Sequence, residues 1–107
     1  YKPLFLFGKK RVACDWVKEI SADFGGIRKS KMPPVRVITA IKTEIPVKYR
    51  KLSRKNVGSK LRHHPSWEYR IMCMENGFDV NDVVDRVCGD CGVDDVKFRE
   101  RLKRKFS

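Results

Sequence analysis

From 35 to 49 every odd-numbered residue is β-branched or aromatic: Val35, Val37, Thr39, Ile41, Thr43, Ile45, Val47 and Tyr49. The even positions between them include Arg36, Lys42, Glu44 and Lys48. Alternation of this kind sorts side chains onto the two faces of a pleated strand, so the spacing predicts one long half-buried strand or two in line. Pro46 lacks an N–H for a ladder and confines that strand to a sheet edge or a bulge near its end. A strand alone cannot pair its backbone groups; the apolar run at 4–7, or a strand of another chain, is the candidate partner.

The remainder reads as helix and loop. Val12, Ala13, Trp16, Val17, Ile20 and Phe24 recur at steps of three and four, which predicts an amphipathic helix over 9–24 stopped by Gly25 and Gly26. Ser53, Asn56, Gly58 and Ser59 separate the bases of a second loop before Pro65. After it, Trp67, Ile71, Met74 and Phe78 mark a helix with Gly77 as its stop. Asp79 is a suitable N-cap for a helix carrying Val80, Val83, Val84, Val87 and Cys88, and Asp94 for a last helix with Phe98, Leu102 and Phe106 spaced by four. The expected fold is therefore α+β: one small domain over 1–107, with an N-terminal helix, a long edge strand, basic loops at 24–34 and 50–65, and a helical C-terminal half at 66–107. In 107 residues there is room for only one core.

Charge narrows the partner. The net charge is +12, distributed as +2 over 1–23, +5 over 24–43, +6 over 44–72, −6 over 73–95 and +5 over 96–107. That density exceeds what solubility needs and points to a polyanion. The acidic segment, with Glu75, Asp79, Asp82, Asp85, Asp90, Asp94 and Asp95, would face a neighbouring protein. Arg28, Lys29, Lys31, Lys48, Arg50, Lys51, Arg54, Lys55, Lys60 and Arg62, with Arg101, Lys103, Arg104 and Lys105, are the expected phosphate contacts. The longest apolar stretches, at 3–7 and 35–41, fall far short of the roughly 20 residues that cross a bilayer, so no membrane partner is expected. A start at Tyr1 rather than Met reads as a processed or trimmed form with any targeting segment already removed.

Cys88-Gly-Asp-Cys91 has the spacing of half a zinc knuckle, but the other ligands would have to come from Cys73, His64, His63 or Cys14 at irregular intervals. Disulfides would require an oxidising compartment, and thiolate chemistry is disfavoured by the acids around the pair. Buried free thiols used as small apolar residues fit best, with no cofactor. Cys88, Gly92, Val93, Phe98 and Leu102 stand in the order of a small crossing residue, a turn glycine and the apolar core of a following helix. This stretch of about twenty residues resembles the helix-turn-helix pattern, which implies compact trihelical packing and, as a second implication, DNA reading. Asp94 and Asp95 lie at the helix end that would meet DNA and oppose that second implication.

Trp16 and Trp67 fit apolar stripes and read as core anchors. Tyr49, Tyr69, His63 and His64 adjoin bases and are the candidates for stacking on nucleobases. The carboxylates suit capping and solvent exposure rather than paired acid–base work, and neither a phosphate loop nor a nucleophile motif is present, so no enzyme is expected. Bases spread over loops, strand and termini favour many phosphate contacts on an irregular surface over one helix in one groove. The expectation is a non-enzymatic, disulfide-free intracellular RNA-binding component of a ribonucleoprotein such as a ribosome, in the mitochondrion or elsewhere. A helix-turn-helix DNA-binding protein and a secreted disulfide-bonded polyanion binder are the alternatives.

Overall fold

The computed structural model describes residues 2–45, 65–77 and 79–107, and these form five helices: α1 (Lys2–Ser30), α2 (Pro34–Glu44), α3 (Trp67–Glu75), α4 (Val80–Cys91) and α5 (Val96–Phe106). No strand occurs among the described residues, which overturns the α+β expectation. The odd-position run is helical through Glu44. Pro34 occupies the first helical position, where a missing N–H costs nothing. From there Ile38 is buried, with Val37 and Ile41 packed at its sides, and this spacing of one, three and four residues is a helical face. The β-branched threonines settle into the helix by back-bonding: Thr39 Oγ1 donates to the Val35 carbonyl at 2.8 Å and Thr43 Oγ1 to that of Thr39 at 2.9 Å. The expected partner strand at 4–7 belongs to α1, so a strand at 35 would have found nothing there to pair with.

α1 also runs further than its periodicity indicated. Pro3 falls in the first turn, and the helix passes through Gly25 and Gly26 to end at Ser30. Two helical glycines cost about 1 kcal/mol each relative to Ala, and burial of Ile27 beyond them, worth about 1.5–3 kcal/mol, offsets that cost. The true stop is Lys31, left-handed at φ +59, one residue before the turn at Met32 and Pro33. The basic loop expected at 24–34 is thus mostly the last turns of a helix.

The core follows from α1. Val12, Ala13, Trp16, Val17, Ile20 and Phe24 line one of its faces, and α1 packs chiefly on α4 and then on α5, while α2 leans on α3. Trp16 is fully buried and meets the Tyr69 ring edge-on at 5.1 Å. α3 begins at Ser66, whose buried hydroxyl accepts from the Tyr69 N–H, and α4 begins at Asp79, which accepts from the N–H groups of Asn81 and Asp82. The C-terminal three-helix unit is present as expected. Between α4 and α5, Gly92 takes φ +75, so that the Gly92 and Val93 N–H groups reach back to the Gly89 and Cys88 carbonyls, a Schellman turn closed by buried Val93 and Cys88. The cap of α5 is Asp95, not Asp94: its carboxylate accepts from the Phe98 N–H at 3.1 Å.

If residues 34–44 are helical, Ile38→Ala should lower stability by about 2 kcal/mol, and Val35→Ala, at a position 75% exposed, should change it by less than about 0.5 kcal/mol. In a strand Val35 would share the buried face with Val37 and Ile41, and urea unfolding of the two variants would show the reverse order.

Candidate nucleic-acid interface

The fold sorts the charges before any partner is considered. Lys42 from α2 pairs with Glu75 at 2.7 Å, Lys10 from α1 with Asp95 at 2.9 Å, and Arg86 with Asp82 at 3.3 Å. Asp85 receives Lys103 at 3.1 Å and Arg99 at 3.7 Å from α5. Asp90 accepts the Tyr69 hydroxyl at 2.6 Å, and Asp79 is a cap. The acidic segment at 73–95, read from sequence as a face for a neighbouring protein, is therefore largely engaged inside the molecule. Asp94 stands apart, fully exposed and 3.9 Å from Arg99.

Two arginines outside the expected phosphate contacts organise this network. Arg70 donates to both oxygens of Asp23 at 2.8 and 2.6 Å, pairs with Glu19 at 3.2 Å, and lies 3.6 Å over the Trp67 ring. Arg99 donates twice to the Val93 carbonyl, tying α5 to the turn before it. Neither pairing has a sequence signal, because both depend on which helices cross.

Of the expected phosphate contacts, Arg28 and Lys29 lie in the last turn of α1, Lys31 in the turn after it, and Arg101, Arg104 and Lys105 on α5, all exposed. None of the six pairs with an acid among the described residues. Lys103 does not belong with them, since Asp85 and Glu100 hold its ammonium. Arg36 and Lys97 are further exposed bases without an acid partner among the described residues. Lys48, Arg50, Lys51, Arg54, Lys55, Lys60, Arg62, Tyr49, His63 and His64 fall outside the described residues.

The ends of α1 and α5 meet. A cleft of about 610 Å³ is bounded by Phe24, Ile27, Arg28 and Lys31 of the α1 end, Met32, Pro33 and Pro34 of the turn, Val80 of α4, and Phe106 and Ser107 at the end of α5. Lys105 Nζ sits 5.4 Å from the centroid of the Phe106 ring. Phe106 ends the apolar series of α5. Each step of four residues overshoots a helical turn by about 40°, so along Phe98, Leu102 and Phe106 only the middle residue is buried and the outer two are half-buried. Tyr69 is the opposite case: its ring is 3% exposed and unavailable for stacking, and burial together with its bond to Asp90 pushes the phenol pKa far up. Trp67 is covered by Arg70 rather than buried in the core.

All four cysteines are free thiols, which removes the ground for a disulfide-bonded alternative. Cys73, Cys88 and Cys91 are buried. Burial pushes the Cys73 and Cys91 thiols up to about 12 and raises Cys88 as well. No group of three or more Cys, His, Asp or Glu converges among the described residues; His64, the fourth member of the zinc set with Cys73, Cys88 and Cys91, lies outside them. Nor is any described helix long and apolar enough to cross a membrane. No family model matches the chain, and no curated protein or solved structure is significantly similar to it.

At pH 8 the native chain should titrate with a thiol reagent at Cys14 alone, the half-buried thiol, and at all four positions once denatured, with its melting temperature indifferent to chelator. A second outcome concerns Asp95. Its carboxyl is held below the ordinary 3.8, first by the Lys10 ammonium and then by the Phe98 N–H. A lowered carboxyl contributes stability that is present above 3.8 and lost as pH falls through the folded-state value. Asp95→Asn keeps the cap and drops the pair, so its deficit in melting temperature should be full near neutrality and close in acid.

Proposed function

We propose that this chain is a non-enzymatic protein that binds structured RNA within a ribonucleoprotein assembly, a ribosome-like particle being the natural setting. The observation that supports the reading is the sorting of charge: acids of four helices are engaged by internal partners, while Arg28, Lys29, Lys31, Arg101, Arg104 and Lys105 remain exposed and unpaired among the described residues. Unpaired bases on helix ends suit the backbone of folded RNA, whose deep groove is closed to side chains and whose phosphates and sugar hydroxyls lie outermost. Each phosphate neutralised releases condensed counterions, which gives affinity without sequence preference. The bases from Lys48 to Arg62 would extend the same surface. Free thiols fit a reducing intracellular compartment, the mitochondrion among them. A protein neighbour meeting the segment at 73–95 would find Asp94 and, beside it, the exposed side chain of Val96.

The Schellman turn before α5 favours a second reading, a helix-turn-helix that presents Val96, Lys97 and Arg101 to a DNA groove. The exposed Asp94 at that helix end opposes it.

Neutralising Arg101, Arg104 and Lys105 to Gln should lower the salt slope of hairpin-RNA binding by about 2 in the log–log plot, at about 0.7 per phosphate contact. Lys42→Gln, which removes a base already paired with Glu75, should leave the slope in place. An unchanged slope in the triple variant rejects the surface, and tighter binding to duplex DNA than to RNA would move the reading to the second one.

A further inference from the structure

We propose that the cleft at the end of α1 receives one unpaired nucleotide of the RNA, with its base against Phe106 and Met32 and its phosphate on Arg28 and Lys31. This inference rests on the RNA reading above and names the part of the RNA that is recognised.

Three observations lead to it. The cleft interrupts a cationic surface with apolar walls. Phe24 and Ile27 are buried in its floor, Phe106 is half-buried, and Met32 is 45% exposed. Its volume of about 610 Å³ lies within the range of sites that enclose small ligands. The two cations that line it, Arg28 and Lys31, have no acid partner among the described residues. Arginine in particular offers a fork that grips phosphate at two oxygens. The third observation is the backbone of Lys31. A φ of +59 is a left-handed conformation that glycine or asparagine adopts at little penalty at a helix end, and a lysine there gives up stability. The fold gains nothing visible from this lysine, since its ammonium pairs with no acid among the described residues; what it gains is a cation on the cleft.

The surroundings also decide what kind of anion fits. The C-terminal ends of α1 and α5 border the cleft with the negative poles of their dipoles, the first residues of α2 and α4 border it with positive poles, and Asp79 caps α4 next to Val80. Opposed poles offset one another and give a bare phosphate little net pull, while the apolar lining suits a ligand that draws most of its binding from an apolar or aromatic body and carries a single charge. A nucleotide turned out of a helix has that composition, and RNA recognition commonly uses bases displaced from the stack and laid on aromatic side chains.

The test uses the full chain with two hairpin RNAs that differ by one bulged nucleotide, carrying 2-aminopurine as the bulge, and follows the methyl signals of the three methionines. Met32 lines the cleft, while Met74 is buried at 2% exposure and serves as the internal control. The bulged RNA should move the Met32 methyl signal, leave Met74 in place, quench 2-aminopurine, and bind roughly tenfold tighter than the fully paired hairpin. Phe106→Leu should erase that preference and spare affinity for the paired hairpin. Lys31→Gly should weaken binding of the bulged RNA while raising the melting temperature, a combination that a merely structural lysine would not give. Equal, salt-dependent binding of both hairpins with Met32 unmoved would overturn the inference and leave the RNA reading standing. Absence of salt-dependent RNA binding would overturn both. A Met32 shift produced by raising protein concentration, or by an acidic peptide with an apolar side chain, and not by the bulged RNA, would assign the cleft to a protein partner instead.

Discussion

Arg70 is the joint on which the two halves of the described chain depend. Its side chain is only 14% exposed, and its guanidinium is held by Asp23 on both oxygens, by Glu19 alongside, and by the Trp67 ring above. An ion pair this sheltered adds little over a well-packed apolar contact, yet removing one partner strands a charge and costs about 3–5 kcal/mol. Its effect is on register: a forked donor matched to a carboxylate fixes α3 along α1 more narrowly than apolar surfaces do. The preceding residue, Tyr69, points the other way, into Trp16 and onto Asp90. Adjacent residues on α3 thereby tie that helix to α1 and to α4 at once.

Fixing α3 and α4 against α1 brings acids next to bases from distant parts of the sequence. Lys10 reaches Asp95, Lys42 reaches Glu75, and Asp85 is shared by Arg99 and Lys103. Each exposed pair is worth at most about 1 kcal/mol. Their larger consequence is subtraction: once the acids are engaged, the excess of bases is left on the outer surfaces of α1 and α5, where like charges repel. A polyanion that binds only the folded chain relieves that repulsion and shifts the folding equilibrium toward the native state. Stability and binding are then two readings of one charge distribution.

How much of this is legible in the sequence follows from which interactions are local. Caps and turns are local, so Asp79, Gly77 and Gly92 mark their boundaries directly, and the stripe from Val12 to Phe24 identifies the core of α1. Residues 35–45 are ambiguous because Val37, Ile38 and Ile41 satisfy a helical period while the odd positions satisfy a strand period. Pro34 at the first position of α2 and the helical state of the expected partner at 4–7 decide between them. Asp94 and Asp95 compete for one cap, and the Schellman turn places the second of them at it. The cleft has no local signature at all. Its walls come from the ends of α1 and α5 and the start of α4, and the same helix crossing that exposes Phe106 there removes Lys103 to Asp85.

A fold-only account of the unpaired bases explains some of them and not others. Arg28 and Lys29 in the last turn of α1, and Arg104 and Lys105 in that of α5, complement helix dipoles, each by about 0.3–1 kcal/mol at an exposed end. Arg101 lies before the last turn of α5 and rests 5.8 Å from the Phe98 ring, a weak contact at an exposed site. Lys97 sits in the first turn, where the dipole disfavours a cation, and it has no acid partner among the described residues. Lys31 combines a charge unpaired among the described residues with a backbone conformation that favours another residue type. These three bases lower or fail to raise the stability of the isolated chain. A negatively charged partner along α5 and at the α1 end gives all three a role, and the helix dipoles do not.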